Sequence, residues 1–217
     1  MINFAQGHRG FILVPVDIFT SNYCFPSRVD ILAPGPNGKA HWPRLGSYVM
    51  AVNKAGMIPV DPDAWLVSDW WAIKTPWFSP IENMFDGLKL FSVGLHKIRG
   101  GADYTFKLLD GRQCVKPFGT APYGEPLEGM LRPDGSVAAS AVELAARFGA
   151  REIVLCGVDM YGGTYYDGTI SKAVDCDHKG PWAYIPYFNS LVEWVRGQGV
   201  DIWSMSKTAL EVDVREP

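Results

Sequence analysis

Short apolar runs separated by proline and glycine set the rhythm of this chain. Val29-Asp30-Ile31-Leu32-Ala33 reads as a strand that stops at Pro34-Gly35-Pro36-Asn37-Gly38, a stretch able to continue neither a strand nor a helix. Tyr48 to Val52 forms a second such run ending at Asn53, and Ala64 to Ser68 a third ending at Asp69. Asp134-Gly135-Ser136 then offers capping side chains. Val137, Ala141, Leu144, Ala145 and Phe148 follow at helical spacing until Gly149. Glu152 to Cys156 is a near-continuous apolar strand, as expected of a parallel strand covered on both faces, and it turns at Gly157-Val158-Asp159. A second helix spans about Tyr187 to Arg196, stops at Gly197-Gln198-Gly199, and leads into the strand Val200 to Trp203. The pattern predicts a single α/β domain over 1–217: a Rossmann-like, open, mostly parallel sheet with helices on both faces.

Two segments break the rhythm. In 96–133, Tyr104 to Leu109 and Gln113 to Val115 flank Asp110-Gly111, a hairpin-turn signal, so an inserted β-hairpin is expected, as a lid or an oligomer contact. Residues 160–184 have neither helical nor strand periodicity and carry Tyr161, Tyr165, Tyr166, Asp175, Asp177 and His178. A polar, aromatic loop of this length inside a compact domain is usually functional or mobile.

Composition narrows the function classes. With 20 Lys+Arg against 23 Asp+Glu, the net charge of −3 and the absence of a basic run argue against a nonspecific nucleic-acid binder. No stretch reaches the ~18 apolar residues of a membrane span, and the Phe11–Val16 run is too short for a signal segment. Cys24, Cys114, Cys156 and Cys176 lie far apart with no CxxC, so the expectation is a cytoplasmic protein with reduced thiols.

Ligands of open α/β sheets bind beyond the carboxyl ends of the strands, where strand order reverses. The Gly35-Pro36-Asn37 turn, Asn53, Asp69 and Asp159 all fall at such ends. The turn matches neither GxGxxG nor a Walker loop; it reads either as an ordinary turn or as a presenter of backbone N–H groups to a phosphate. Asn53 and Asp69 read equally as capping residues, and Asp159 as a holder of its own loop. His178 is a candidate general base, because imidazole titrates near neutral pH, or a solvated loop histidine. Cys176-Asp177-His178 is too sparse for zinc. Trp70, Trp71 and Trp77 serve core packing or stack on a ligand ring.

The segment from Gly135-Ser136-Val137 through Phe148-Gly149-Ala150-Arg151-Glu152-Ile153-Val154-Leu155-Cys156-Gly157-Val158-Asp159-Met160-Tyr161 resembles the bacterial sialyltransferases of glycosyltransferase family 42 and relatives similar to 6-hydroxymethylpterin diphosphokinase. The likeness covers roughly 29–70 and 134–210. It implies that Gly35, Pro36 and Asn37 lie against nucleotide phosphates. It also implies that Asn53 contacts the nucleotide and that Ser136, Asp69 and Asp159 belong to the same binding set. Tyr161 and Tyr166 resemble the tyrosine pair that holds the donor phosphate, and His178 corresponds to the general base. The implied activity is glycosyl transfer from a CMP-sugar donor to a small-molecule or glycan hydroxyl acceptor, with no metal or other cofactor required. Two positions depart from the family pattern: the serine after the Gly-Pro turn is Asn37, and the asparagine at the third strand end is Asp69. A carboxylate at 69 suits either ribose hydroxyls or Mg²⁺. The alternatives are therefore Mg²⁺-dependent pyrophosphoryl transfer from ATP to a pterin-like alcohol, or a noncatalytic nucleotide- or glycan-binding module.

Overall fold

A computed structural model describes residues 15–46, 48–108, 122–132, 136–161, 164–169 and 184–216. Nine strands form one all-parallel sheet: β1 (Val16–Asp17), β2 (Arg28–Leu32), β3 (Val49–Val52), β4 (Ala64–Val67), β5 (Leu88–Ser92), β6 (Tyr104–Phe106), β7 (Glu152–Cys156), β8 (Asp201–Ser204) and β9 (Asp213–Val214). Their order is β1-β6-β5-β4-β3-β2-β7-β8-β9. From β2 the chain advances outward through β3 to β6, then returns to the other side of β2 for β7 and β8. Strand order thus reverses between β2 and β7, which run in register from Arg28 beside Glu152 to Leu32 beside Cys156.

The reversal also decides which face each connection covers. Right-handed crossovers lie on one face while the order advances one way and on the other once it turns back. The short helices α1 (Phe78–Met84) and α2 (Val93–Arg99), with 3-10 turns at 53–57 and 70–74, pack with Trp65, Val67 and Phe91 on one face. The longer α3 (Val137–Arg147) and α4 (Ile185–Gly197) pack with Ile31, Met50 and Leu155 on the other. Trp65 is fully buried, with Phe78 and Phe91 ring centroids 5.3 and 5.4 Å away. The central strands are buried along nearly their whole length, which is why they read as unbroken apolar runs.

Local chemistry explains α3. Ser136 Oγ accepts the Ala139 N–H (3.3 Å), Ala138, Ala139, Ala141 and Ala145 present a small face to the sheet, and Gly149 leaves the helix at φ 104°. The open α/β fold expected from the sequence is therefore the fold observed, with every strand pairing parallel. One element differs. Tyr104–Phe106, expected as the first arm of an inserted hairpin, is a strand of the main sheet, parallel to both β5 and β1. Its Thr105 and Phe106 are buried within the sheet, between β5 and β1. The Asp110-Gly111 turn and the second arm lie outside the described residues. No helix among the described residues is long and apolar enough to cross a membrane.

Candidate functional site

The ends of β2 and β7 leave the sheet together and interlock. Ala33 N–H donates to the Cys156 carbonyl (2.8 Å) and Gly35 N–H to the Gly157 carbonyl (3.0 Å). Asn37 N–H donates to Asp159 Oδ2 (2.9 Å), while the Asn37 side chain donates to the Lys207 carbonyl (3.1 Å). Gly157 has φ 70°, and its N–H donates to Ser206 Oγ (2.9 Å). A Cβ on Gly35 would overlap the Gly157 carbonyl and stand 2.6 Å from Asp159 Oδ2. Two chain ends that approach this closely leave no room for side chains.

Beside this joint lies a cavity of about 480 Å³, inside the range of roughly 300–1,000 Å³ usual for small-ligand sites. Its walls come from the ends of β2, β3, β7 and β8 and from the first turn of α3. Asn53 (φ 49°) and Met160 (φ 60°) are the two non-glycine residues with positive φ among the described residues, and both line it. Backbone held in that region is concentrated at ligand sites.

Of the residues expected in a nucleotide site, Gly35, Pro36, Asn37, Asn53, Ser136, Asp159 and Tyr161 line this one cavity. Their roles differ in part from expectation. The Gly35-Pro36-Asn37 turn has no backbone N–H left to offer a phosphate: two are donated to Gly157 and Asp159, and proline has none. The turn shapes the wall instead. The first turn of α3 supplies the unspent donors, because Val137 and Ala138 have no acceptor within the helix, and both line the cavity. A helix N-terminus favours negative charge. Lys207, exposed just past β8, adds a cation to the cavity lining, 5.7 Å from the centre of the Tyr161 ring.

Tyr161 donates its hydroxyl to the Thr208 carbonyl (2.9 Å). Tyr166, expected as its partner at a donor phosphate, does not line the cavity; its ring meets Trp42 edge-on, with centroids 5.3 Å apart. Its N–H is tied to the Pro34 carbonyl (2.8 Å), and the chain turns at 165–168, where Gly168 N–H donates to the Tyr165 carbonyl (2.9 Å); Tyr165 stands on the wall instead. Lys54 clasps this segment. Buried at 7% exposure, its Nζ donates to Asp167 Oδ2 (2.6 Å) and Thr169 Oγ1 (2.5 Å) and lies 4.9 Å from the Tyr165 ring centre. Hydrogen bonds from Lys54 and Thr169 hold the Asp167 carboxyl at about 2 against its partial burial.

The two expected acidic residues are both desolvated. Burial pushes Asp159 up to about 6 against the Asn37 hydrogen bond, and Asp69 up to about 6 against the hydrogen bond from the Asn53 side chain. Asp69 does not line the cavity; it stands behind Asn53, whose carbonyl accepts the Trp65 indole N–H (2.8 Å). Each carboxylate thus already serves a protein donor. Among the described residues no group of three or more His, Cys, Asp or Glu is placed to hold a metal ion. The Cys156 thiol, pushed up to about 12 by burial with Asp30 and Asp159 nearby, is a packing group. Of the tryptophans weighed for stacking, Trp77 is buried in the core, while Trp70 and Trp71 are exposed beside Asp69.

Asp69 allows a pH test. Its folded value lies above the ordinary 3.8, so the folded chain holds the proton more tightly; the stability this confers is full in acid and lost as pH rises through about 6. Asp69→Asn keeps an acceptor for Asn53 and removes the buried charge. The variant is expected to melt about 2–4 °C above the parent at pH 7.5, corresponding to about 1 kcal/mol, and to match it near pH 4. Thermal unfolding at both pH values decides this.

His178 lies outside the described residues. Sequence reasoning missed Lys207, Tyr184 and the backbone of Val137 and Ala138, and noted Tyr165 only as part of its loop; all of them line the cavity. Lys207 was within reach, since it follows the end of a strand that was itself expected. The helix amides have no side-chain signature. Comparison with known proteins adds nothing to these assignments: no family model matches the chain, and no curated protein matches it in sequence.

Proposed function

We propose that the protein is a transferase for a nucleotide-activated donor, most simply a CMP-sugar, and passes the sugar to a hydroxyl acceptor. The observation that carries this reading is the cavity at the reversal of strand order, lined by both the α3 N-terminus and Lys207. Sugar transfer breaks the bond between the anomeric carbon and the phosphate oxygen and forms one to the acceptor oxygen. The acceptor proton goes to His178, and CMP leaves with the bonding electrons. Negative charge therefore grows on the phosphate as the bond breaks. Helix amides and an ammonium group fixed beside it would stabilise that charge without reorganising, which is the usual source of electrostatic catalysis. Tyr161, whose hydroxyl proton goes to the Thr208 carbonyl, contributes its ring to the wall in this reading, and Tyr165 takes the wall position assigned to Tyr166 by resemblance. The cysteine pattern of the sequence supports placing the reaction in the cytoplasm.

Release of CMP from a CMP-sugar, measured with EDTA present, tests the proposal. Turnover that survives chelation is expected. Binding without turnover would favour a noncatalytic module, and a reaction of ATP that requires added Mg²⁺ would favour pyrophosphoryl transfer.

A further inference from the structure

Lys54 is a buried cation beneath an exposed turn. It follows Asn53 at the end of β3 and is 7% exposed, yet it does not line the cavity. A lysine buried this deeply needs partners for its ammonium. It takes two from one segment far along the chain, Asp167 Oδ2 at 2.6 Å and Thr169 Oγ1 at 2.5 Å. That segment is closed on itself. Tyr165 N–H donates to the Thr169 carbonyl (2.8 Å) and Gly168 N–H to the Tyr165 carbonyl (2.9 Å), while Thr169 N–H and Oγ1 donate to Asp167 Oδ1 (3.1 and 2.7 Å). A grip on Asp167 and Thr169 is therefore a grip on the whole turn, Tyr165 included. The ammonium also lies 4.9 Å from the centre of the Tyr165 ring, within cation–π range, and it is Tyr165, with Thr164 before it, that the segment contributes to the cavity.

Resting on the nucleotide reading, we propose that Lys54 is a positioning residue for the donor site: it holds the 165–169 turn to the end of β3, so that the Tyr165 ring stands on the cavity wall before the ligand arrives. The gain is preorganisation. A side chain already fixed in its bound position loses little freedom when the ligand settles, whereas one on a released turn must be ordered at that moment, and binding weakens accordingly. The burial of the pair makes Lys54 the point of leverage. The Asp167 side chain is 35% exposed and returns to water once the ammonium is gone, so loss of Lys54 detaches the turn without stranding a buried charge. Tyr166 is secured separately by the Pro34 carbonyl and the Trp42 ring, so the expected effect is a loosened Tyr165 and not a displaced chain.

Calorimetric titration of the parent and its variants with CMP tests the inference. Lys54→Met fills the same length but cannot donate, and is expected to bind CMP about three- to tenfold more weakly, the range for ordering one freed side chain. With Tyr165→Ala already in place, the same Lys54→Met change should alter affinity by less than about twofold, because the ring it positions is gone. Asp167→Asn separates the clasp from long-range charge. A weakened clasp lowers affinity about two- to fivefold, whereas removal of an anion, on electrostatic grounds alone, would raise the affinity for a phosphate. Three results would each overturn the inference while leaving the nucleotide reading intact: Lys54→Met binding as tightly as the parent, its effect undiminished beside Tyr165→Ala, or Asp167→Asn binding that equals or exceeds the parent's. Failure of the parent to bind CMP would overturn both. Asp167 is on the exposed side of the pair, so its variant is decisive even if Lys54→Met folds poorly.

Discussion

Alanine at position 157 is expected to cost about 3 kcal/mol of stability and to lower the melting temperature by roughly 6–12 °C. Gly157 sits at φ 70°, a region in which an L side chain costs about 1–2 kcal/mol. A Cβ there would also overlap the Ala33 carbonyl and stand 3.0 Å from that of Gly35. Those atoms are backbone of the neighbouring strand end, so relief would require parting β2 from β7 at the joint that forms the cavity wall. Gly197 is the internal control. It ends α4 with nothing within 4 Å of a built Cβ, and alanine there is expected to be neutral or stabilising by up to about 1 kcal/mol. Thermal melts of the two variants separate close approach from a general intolerance of substitution; equal effects at 157 and 197 would contradict the interlocked-loop description.

The second large effect concerns catalysis. His178→Ala is expected to lower the rate of CMP release to acceptor about 10²- to 10⁴-fold, the usual contribution of a positioned general base, while CMP affinity stays within about twofold. The separation follows from the division of labour proposed for the site: the α3 N-terminus, Lys207 and the Asp159 wall hold the donor, and the imidazole acts only on the acceptor proton. A loss confined to binding would remove His178 from the reaction and give it a place at the donor instead.

The sequence made some parts of this architecture legible and concealed others for physical reasons. Strands β2, β3, β4, β7 and β8 were readable because burial on both faces leaves near-continuous apolar runs such as Ile153 to Cys156. Helix α3 was readable from its cap at Ser136 and its stop at Gly149. Strand β5 was not, because Leu88-Lys89-Leu90-Phe91-Ser92 is fully buried only in its second half and carries a lysine. Strand β6 reads from sequence as a hairpin arm because Asp110-Gly111 is a strong local signal, whereas its membership of the main sheet is decided by pairing with residues distant in sequence. At the site, the rule that ligands bind at strand ends pointed to Asn53 and Asp159, both of which line the cavity. It could not show that Asp69 acts from behind Asn53, which follows from the neighbouring ends of β3 and β4, nor that the Gly35 and Asn37 amides are already bonded, which follows from contacts across the switch point.

The most direct measurement is calorimetric titration of the full chain with CMP, once with Mg²⁺ and once with EDTA, alongside Lys207→Ala. Saturable CMP binding of equal strength in both buffers, weakened by the loss of Lys207, is the expected result for an anion held by a helix N-terminus and an ammonium group at the sheet's switch point. Binding that vanishes with EDTA, or that is indifferent to Lys207→Ala, would contradict it.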